Sequence, residues 1–232
     1  MKLTWLGHSA FRIELPGAVI LIDPFLSGNP KFTGTVAQAS EGATHIVLTH
    51  GHDDHVGDTV EIAKATGAQL VANVEVCLFL NAQGVSNVNY GNTGGSIDCG
   101  AFTASFTQAI HSSSTFVNGQ SIYLGNPNGI VIKPKSGPTV YAMGDTDIFS
   151  DMALIAEIHQ PKIGLVPVGD HFTMGGKTAA LAMKRFFKFE TVVPCHYGTF
   201  DALAQDPSAF VDAMKGEPTR VAVPKIGEAL TF

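Results

Sequence analysis

Apolar and polar residues alternate in short runs from the start of the chain. The pattern predicts strands over Lys2 to Leu6, Ala10 to Leu15 and Ala18 to Ile22, with turns at Gly7 to Ser9 and Pro16-Gly17, a β meander. Asp23 to Ala39 is rich in Pro, Gly, Asn and Ser and keeps no period, so it reads as a long loop; Pro24 holds Asp23 out of the helical region. His45 to Thr49 is extended again. After a break at Gly51 to Asp54, Val56, Val60, Ile62 and Ala63 take helical spacing up to Thr66, with a stop at Gly67.

The alternation continues with a strand at Gln69 to Ala72, a helix at Val74 to Ala82 and a strand at Val85 to Asn89. From Ser96 to Val131 the texture changes to strand segments, Ala101 to Gln108 and Ser121 to Gly125 among them, with no long helix. Beyond it the pattern gives a strand at Val140 to Met143, a helix at Met152 to Ile158 stopped by Pro161, a strand at Ile163 to Val168 and a helix at Gly175 to Phe187. A strand at Thr191 to Pro194, a helix at Pro207 to Met214 capped by Asp206, and a strand at Arg220 to Val223 complete it. Strands alternating with helices define an α/β class, and with no shift of composition along the chain, residues 1–232 read as one domain.

Composition narrows the function. With 45% hydrophobic residues in 232, a substantial core is available and disorder is excluded as the main state. A formal charge of −6, from 14 Lys and Arg against 20 Asp and Glu, leaves no large basic surface and argues against nucleic acid as partner. Apolar stretches such as Ala18 to Ile22 fall far short of the roughly 20 residues that cross a bilayer, and the chain opens on a strand pattern rather than a basic and apolar leader. Cys77, Cys99 and Cys195 make no CxxC pair or even-numbered framework, which suits a reducing compartment; the expectation is a cytoplasmic protein with no membrane partner.

The chemistry concentrates in Thr49-His50-Gly51-His52-Asp53-Asp54-His55, at a strand-to-helix junction where α/β proteins place their sites. In an extended segment His50 and His52 point the same way and can reach one metal, while the turn beyond directs Asp54 and His55 toward a neighbouring position. Gly51 permits close approach between the two, and Asp53 could orient an imidazole; spacing alone does not rank Asp53 against Asp54. His111, Asp145 and His196 each end an apolar, strand-like segment, the kind of partner that mixed imidazole and carboxylate ligation needs from elsewhere in the chain. Weaker signals include Gly175-Gly176-Lys177-Thr178, which ends like a phosphate loop but has His171 where its first Gly belongs, and Cys195-His196, whose adjacent side chains point apart. Lys184, Arg185 and Lys188 read as helix surface.

His50-x-His52-x-Asp54-His55 followed by His111, Asp145 and His196 resembles the ligand set of the metallo-beta-lactamase superfamily. Within it, Trp5-Leu6-Gly7-His8-Ser9, the Pro167 to Gly175 stretch with Phe172-Thr173-Met174-Gly175, and Pro194-Cys195-His196-Tyr197-Gly198-Thr199 resemble the UPF0173 metal-dependent hydrolases, related to the L-ascorbate-6-phosphate lactonase-like branch. The resemblance implies an αββα four-layer sandwich, two mixed β-sheets flanked by helices, with a pseudo-two-fold relation between its halves. It implies that His50, His52 and His111 hold a first metal and Asp54, His55 and His196 a second, with Asp145 bridging. Relatives often carry a His where this chain has Ala142, a departure that touches none of the seven ligands.

By the same likeness the cofactors are two divalent ions, zinc or manganese, with iron as a further candidate. A metal-bridging hydroxide would attack a small ester, lactone or phosphoester, and the expected substrate is a small anionic or ester-like metabolite rather than a bulky polymer. Asp54 ranks first as a ligand and second as an aid to proton transfer. His8 and His171, in loops of Gly and small polar residues, are candidate catalytic or substrate contacts or else hydrogen-bonded loop residues; Lys177, suited to an anionic substrate, and Tyr197 are lesser candidates. The competing classes are a nuclease or phosphodiesterase of the same fold, a non-haem iron oxidoreductase and a metal-stabilised binding scaffold. A homo-oligomer is left open.

Overall fold

The computed structural model describes residues 1–232. The first half runs β1 (Lys2–Gly7), β2 (Ala10–Leu15), β3 (Ala18–Ile22), α1 (Val36–Ala39), β4 (His45–Val47), α2 (Asp53–Val56), α3 (Thr59–Thr66), β5 (Gln69–Asn73), α4 (Val74–Asn81) and β6 (Val88–Gly91). The second runs β7 (Ser96–Asp98), β8 (Phe102–Gln108), a hairpin of β9 (Ser114–Val117) and β10 (Gln120–Tyr123), β11 (Asn128–Pro134), β12 (Val140–Ala142), α5 (Met152–His159), β13 (Ile163–Pro167), α6 (Gly176–Phe186), β14 (Thr191–Cys195), α7 (Ser208–Ala213), β15 (Arg220–Val221) and β16 (Ala229–Thr231).

Two seven-stranded sheets result, in the orders β16-β1-β2-β3-β4-β5-β6 and β7-β8-β11-β12-β13-β14-β15. In the first, pairing is antiparallel from β16 to β3 and parallel from β3 to β6. In the second it is antiparallel from β7 to β12 and parallel from β12 to β15. The same succession of pairings therefore occurs twice, which is the implied pseudo-two-fold relation.

Strands buried on both faces read as continuous apolar runs, as in Ala18 to Ile22. Ile20, Ile22, Val47 and Val71 face the other sheet and meet Phe102, Phe106, Ile130 and Ile132 in the central core. Leu21, Ile46 and Leu70 point the opposite way, onto Ile62, Val76 and Leu80 of α3 and α4. On the far side Val131, Tyr141 and Val166 lie against Met152, Ile155, Met183 and Phe210 of α5, α6 and α7. The layers are thus helix, sheet, sheet, helix: an αββα sandwich of two mixed sheets. No helix is long and apolar enough to cross a membrane.

Local departures from the sequence pattern have local causes. The helix expected from Val56 starts at Asp53 and breaks at Gly57, whose φ is +43° and whose added Cβ would sit 2.5 Å from the Phe25 Cα; α3 then restarts at Thr59. Within the expected loop, Thr35 and Gln38 close a capping box around α1. Val85 is buried with α4, so β6 begins later than expected, at Val88. Asp206 accepts from the Ser208 amide at 2.8 Å, although Pro207 occupies the N-cap position of α7.

Because β1 runs parallel to β3 and β4, and β8 to β12, β13 and β14, all seven strands end on one edge of the sandwich. His8 follows β1, Asp23 follows β3, His50 to His55 follow β4, His111 follows β8, Asp145 follows β12 and His196 follows β14. Carboxyl ends of strands are where open α/β sheets place their ligands.

Candidate metal centre

The edge gathers its histidines closely. Donor atoms of His50, His52 and His111 lie within 4.8 Å of one another; so do those of His8, Asp54, His55 and His196, and those of His50, His55 and Asp145. His50 Nε2 is 3.0 Å from His52 Nδ1, near the roughly 3.3 Å between neighbouring ligands on a tetrahedral ion at about 2.0–2.1 Å from each nitrogen. His196 Nε2 and His111 Nε2 stand 2.9 Å and 3.5 Å from Asp145 Oδ2, and His55 Nε2 stands 3.3 Å from Asp145 Oδ1. Asp145 thus touches rings from both groups.

Hydrogen bonds beneath the cluster set the tautomers. Thr49 Oγ1 donates to Asp23 Oδ2 at 2.7 Å, so at 2.9 Å from His50 Nδ1 it accepts, and the His50 Nε2 lone pair is left facing the cluster. His55 Nδ1 donates to Asp23 Oδ2 at 2.8 Å, which leaves its Nε2 facing inward as well. Asp23 also accepts from the Thr49 amide. A buried carboxylate therefore orients two of the rings, one directly and one through Thr49.

Buried polar groups are nearly always hydrogen-bonded, and those that are not call for an explanation. Here His55 Nε2, Asp145 Oδ1 and both ring nitrogens of His196 are buried without a hydrogen-bond partner. Their close contacts with one another lack hydrogen-bond alignment. Inward-facing nitrogen and oxygen donors grouped in this way fit one or two divalent cations.

Charge follows the same design. Burial, and then the charge of His55, holds the His50 ring well below the usual histidine value; burial likewise lowers His52 and His111. Burial opposes charge on Asp145, but His196 and His55 outweigh it and keep the carboxyl well below its ordinary range. Burial also opposes charge on Asp54, where His55 and the hydrogen bond with His8 prevail. His55 goes the other way: burial disfavours its proton, yet Asp145, Asp23 and Asp54 together raise it well above 6.5. Two ionised carboxylates are thus held beside the neutral imidazoles of His50, His52 and His111.

Asp53 and Asp54, equivalent by spacing, are separated by the fold. Asp53 accepts from Thr115 Oγ1 at 2.6 Å, whereas Asp54 Oδ2 lies 3.0 Å from His8 Nε2 and 4.0 Å from His196 Nε2. His8 is buried with the cluster, its Nδ1 3.0 Å from Thr199 Oγ1 and its pKa lowered by burial to about 4. That bond joins the Gly7-His8-Ser9 turn to the Gly198-Thr199 segment, reinforced by the His196 amide donating to the His8 carbonyl.

His171 is exposed on the loop after β13, where Gly169 and Gly175 pair across its base; its ring lies edge-on to Phe172, and no hydrogen bond links it to the cluster. Lys177 is exposed in the first turn of α6. Tyr197 lays its ring against Trp5 at 5.2 Å. Cys195 is buried, and burial pushes its thiol well above the ordinary value, which removes it as a nucleophile. Asp23, Thr49 and Thr199 were not foreseen as site residues; an Asp before Pro24 carries the same signal as an ordinary turn.

Fold and cluster together define a metal-dependent hydrolase of the beta-lactamase superfamily: a family model described as the beta-lactamase superfamily domain matches residues 2–196. A UPF0173 metal-dependent hydrolase from Methylocella silvestris is 73% identical over 232 residues, covering 100% of both chains, and one from Chelativorans is 59% identical over 98% of both. Among solved structures, Igni18, a metallo hydrolase from Ignicoccus hospitalis, superposes with a TM-score of 0.88 at 35% identity, covering 100% of this chain and 97% of its own. The chain belongs to the UPF0173 metal-dependent hydrolase family.

Proposed function

We propose that His50, His52 and His111 hold one divalent cation and Asp54, His55 and His196 a second, with Asp145 between them, for hydrolysis of a small ester, lactone or phosphoester. The observation that carries this is the convergence of buried, unpartnered donors: His55 Nε2, His196 Nε2 and Asp145 Oδ1. Bound there, zinc, manganese or iron ions would lower the pKa of a water from about 15.7 toward about 7 and polarise the carbonyl or phosphoryl oxygen.

The chain's own residues position and protect. Asp23 and Thr49 fix the His55 and His50 rings, and His8 fixes Asp54 through its Nε2. Asp54, with its side chain 30% exposed against 3% for Asp145, is the more solvent-facing of the two clustered carboxylates. It is placed to accept a proton from the attacking water. In ester cleavage the water oxygen bonds to the carbonyl carbon, the ester C–O bond breaks, and a water proton ends on the leaving alcohol. His171, and secondarily Tyr197 and Lys177, would contact substrate from the surrounding loops. A closed structural metal site keeps no open position, and the exposure of Asp54 argues against a binding scaffold. The negative net charge disfavours a nuclease. Residues 1–232 are read as one domain, and three free, buried cysteines suit the cytoplasm.

The test is a panel of lactones, esters and phosphoesters run on metal-loaded protein with a chelator control. Chelator-sensitive turnover is expected. His50→Ala should lose metal and activity together, whereas His171→Ala should keep both ions and lose much of kcat. Metal loss in His171→Ala as large as in His50→Ala would reject its substrate role, and a metal-loaded protein inert on the whole panel would reject the hydrolase reading.

A further inference from the structure

The two halves repeat their strand pairing but differ at one junction. Between β1 and β2 lies only the His8-Ser9 turn; at the corresponding place between β8 and β11 the chain inserts residues 109–127, which carry His111 and the β9–β10 hairpin. This insertion walls two depressions that open beside the metal cluster.

One, of 390 Å³, is bounded by Phe25, Phe116 and Phe200 together with His52 and Asp54. Phe116 is 72% exposed and Phe200 38%, while Phe25 and Phe200 have ring centroids 6.2 Å apart and both meet the His8 ring edge-on. The other, of 240 Å³, is bounded by Ser112, Ser114, Ser121, Tyr123 and Asn126 beside His111. Neither depression is lined by a Lys or Arg side chain. Tight recognition of a phosphate or carboxylate group draws on charge-assisted hydrogen bonds from such cations. Exposed aromatic rings at the mouth of a polar site instead offer an apolar group a surface to cover.

Resting on the hydrolase reading above, we infer that the substrate is an uncharged ester or lactone bearing an aromatic group near the scissile carbonyl, seated among Phe25, Phe116 and Phe200. Its polar remainder lies against the serine-lined depression. Phe116 and Phe200 are then specificity-determining residues, and phosphorylated or carboxylated metabolites are poor substrates.

The experiment compares kcat/KM on metal-loaded protein for methyl phenylacetate and benzyl acetate against methyl acetate, monomethyl succinate and phenyl phosphate. An aryl ester should lead the other three by at least about tenfold, the scale on which an apolar pocket discriminates. Phe116→Ala or Phe200→Ala should shrink that lead at least about fivefold. Saturation-transfer NMR with 4-phenyl-2-butanone, a ketone that cannot be hydrolysed, should detect binding to the wild-type chain and a weaker signal with either variant. Metal-dependent turnover of monomethyl succinate or phenyl phosphate equal to that of the aryl esters overturns this inference and leaves the hydrolase reading standing. An aryl preference untouched by both variants overturns the assignment to these rings. Failure of chelator-sensitive turnover on every compound overturns the hydrolase reading and this inference with it.

Discussion

At the residue scale the centre depends on a carboxylate that touches no proposed ligand atom facing the metals. Asp23 receives His55 Nδ1–H and the Thr49 hydroxyl, and its φ of +43° is one that Asn tolerates well. Asp23→Asn should therefore keep the backbone conformation but set an amide NH2 against one of these donors and lower metal affinity about 10- to 100-fold, as measured by competition with a chromogenic chelator; unchanged affinity would remove Asp23 from the centre. The pKa directions give a second prediction. His50, His52 and His111 are lowered and so are unprotonated at pH 7, whereas His55 is raised well above 6.5 and carries a proton that ligation must displace. Calorimetry at pH 7 in buffers of different ionisation enthalpy should show more proton release for an ion at His55 than for an ion at the first three. Equal release at both steps would contradict this. His50, His52, Asp54 and His55 were legible because they crowd one segment. Asp23, Thr49 and Thr199 were not, since each is an unremarkable polar residue until the fold brings it under a ring.

At the scale of elements, the strand ends do the assembling. The loop after β13 passes so close to the one after β14 that a Cβ on Gly169 would lie 1.9 Å from the His196 carbonyl oxygen. Gly169→Ala must push the His196 backbone aside, so the variant should have a lowered Tm and bind one ion per chain instead of two, by circular dichroism and elemental analysis. Two ions with an unchanged Tm would show that His196 is not held by this contact. Most strands and the long helices followed from their apolar periods. The break at Gly57 did not, because it depends on the Pro24-Phe25 backbone lying against it, a contact between segments far apart in sequence. Nor did the pairing of β8 with β11 across residues 109–127, for the pattern within each strand says nothing of its partner.

For the whole molecule, two halves of like pairing stack their sheets so that the carboxyl ends of both open on one edge, and each half delivers part of the centre: His50 to His55 from the first, His111, Asp145 and His196 from the second. That stacking was implied by resemblance rather than by any repeat visible in the residues, since pairing order can recur without sequence recurring. Anomalous scattering from crystals of metal-loaded protein tests the central claim most directly. Two peaks are predicted, one among His50, His52 and His111 and one among Asp54, His55 and His196, with the Asp145 carboxylate between them; a single peak, or any pair out of reach of Asp145, would contradict the account.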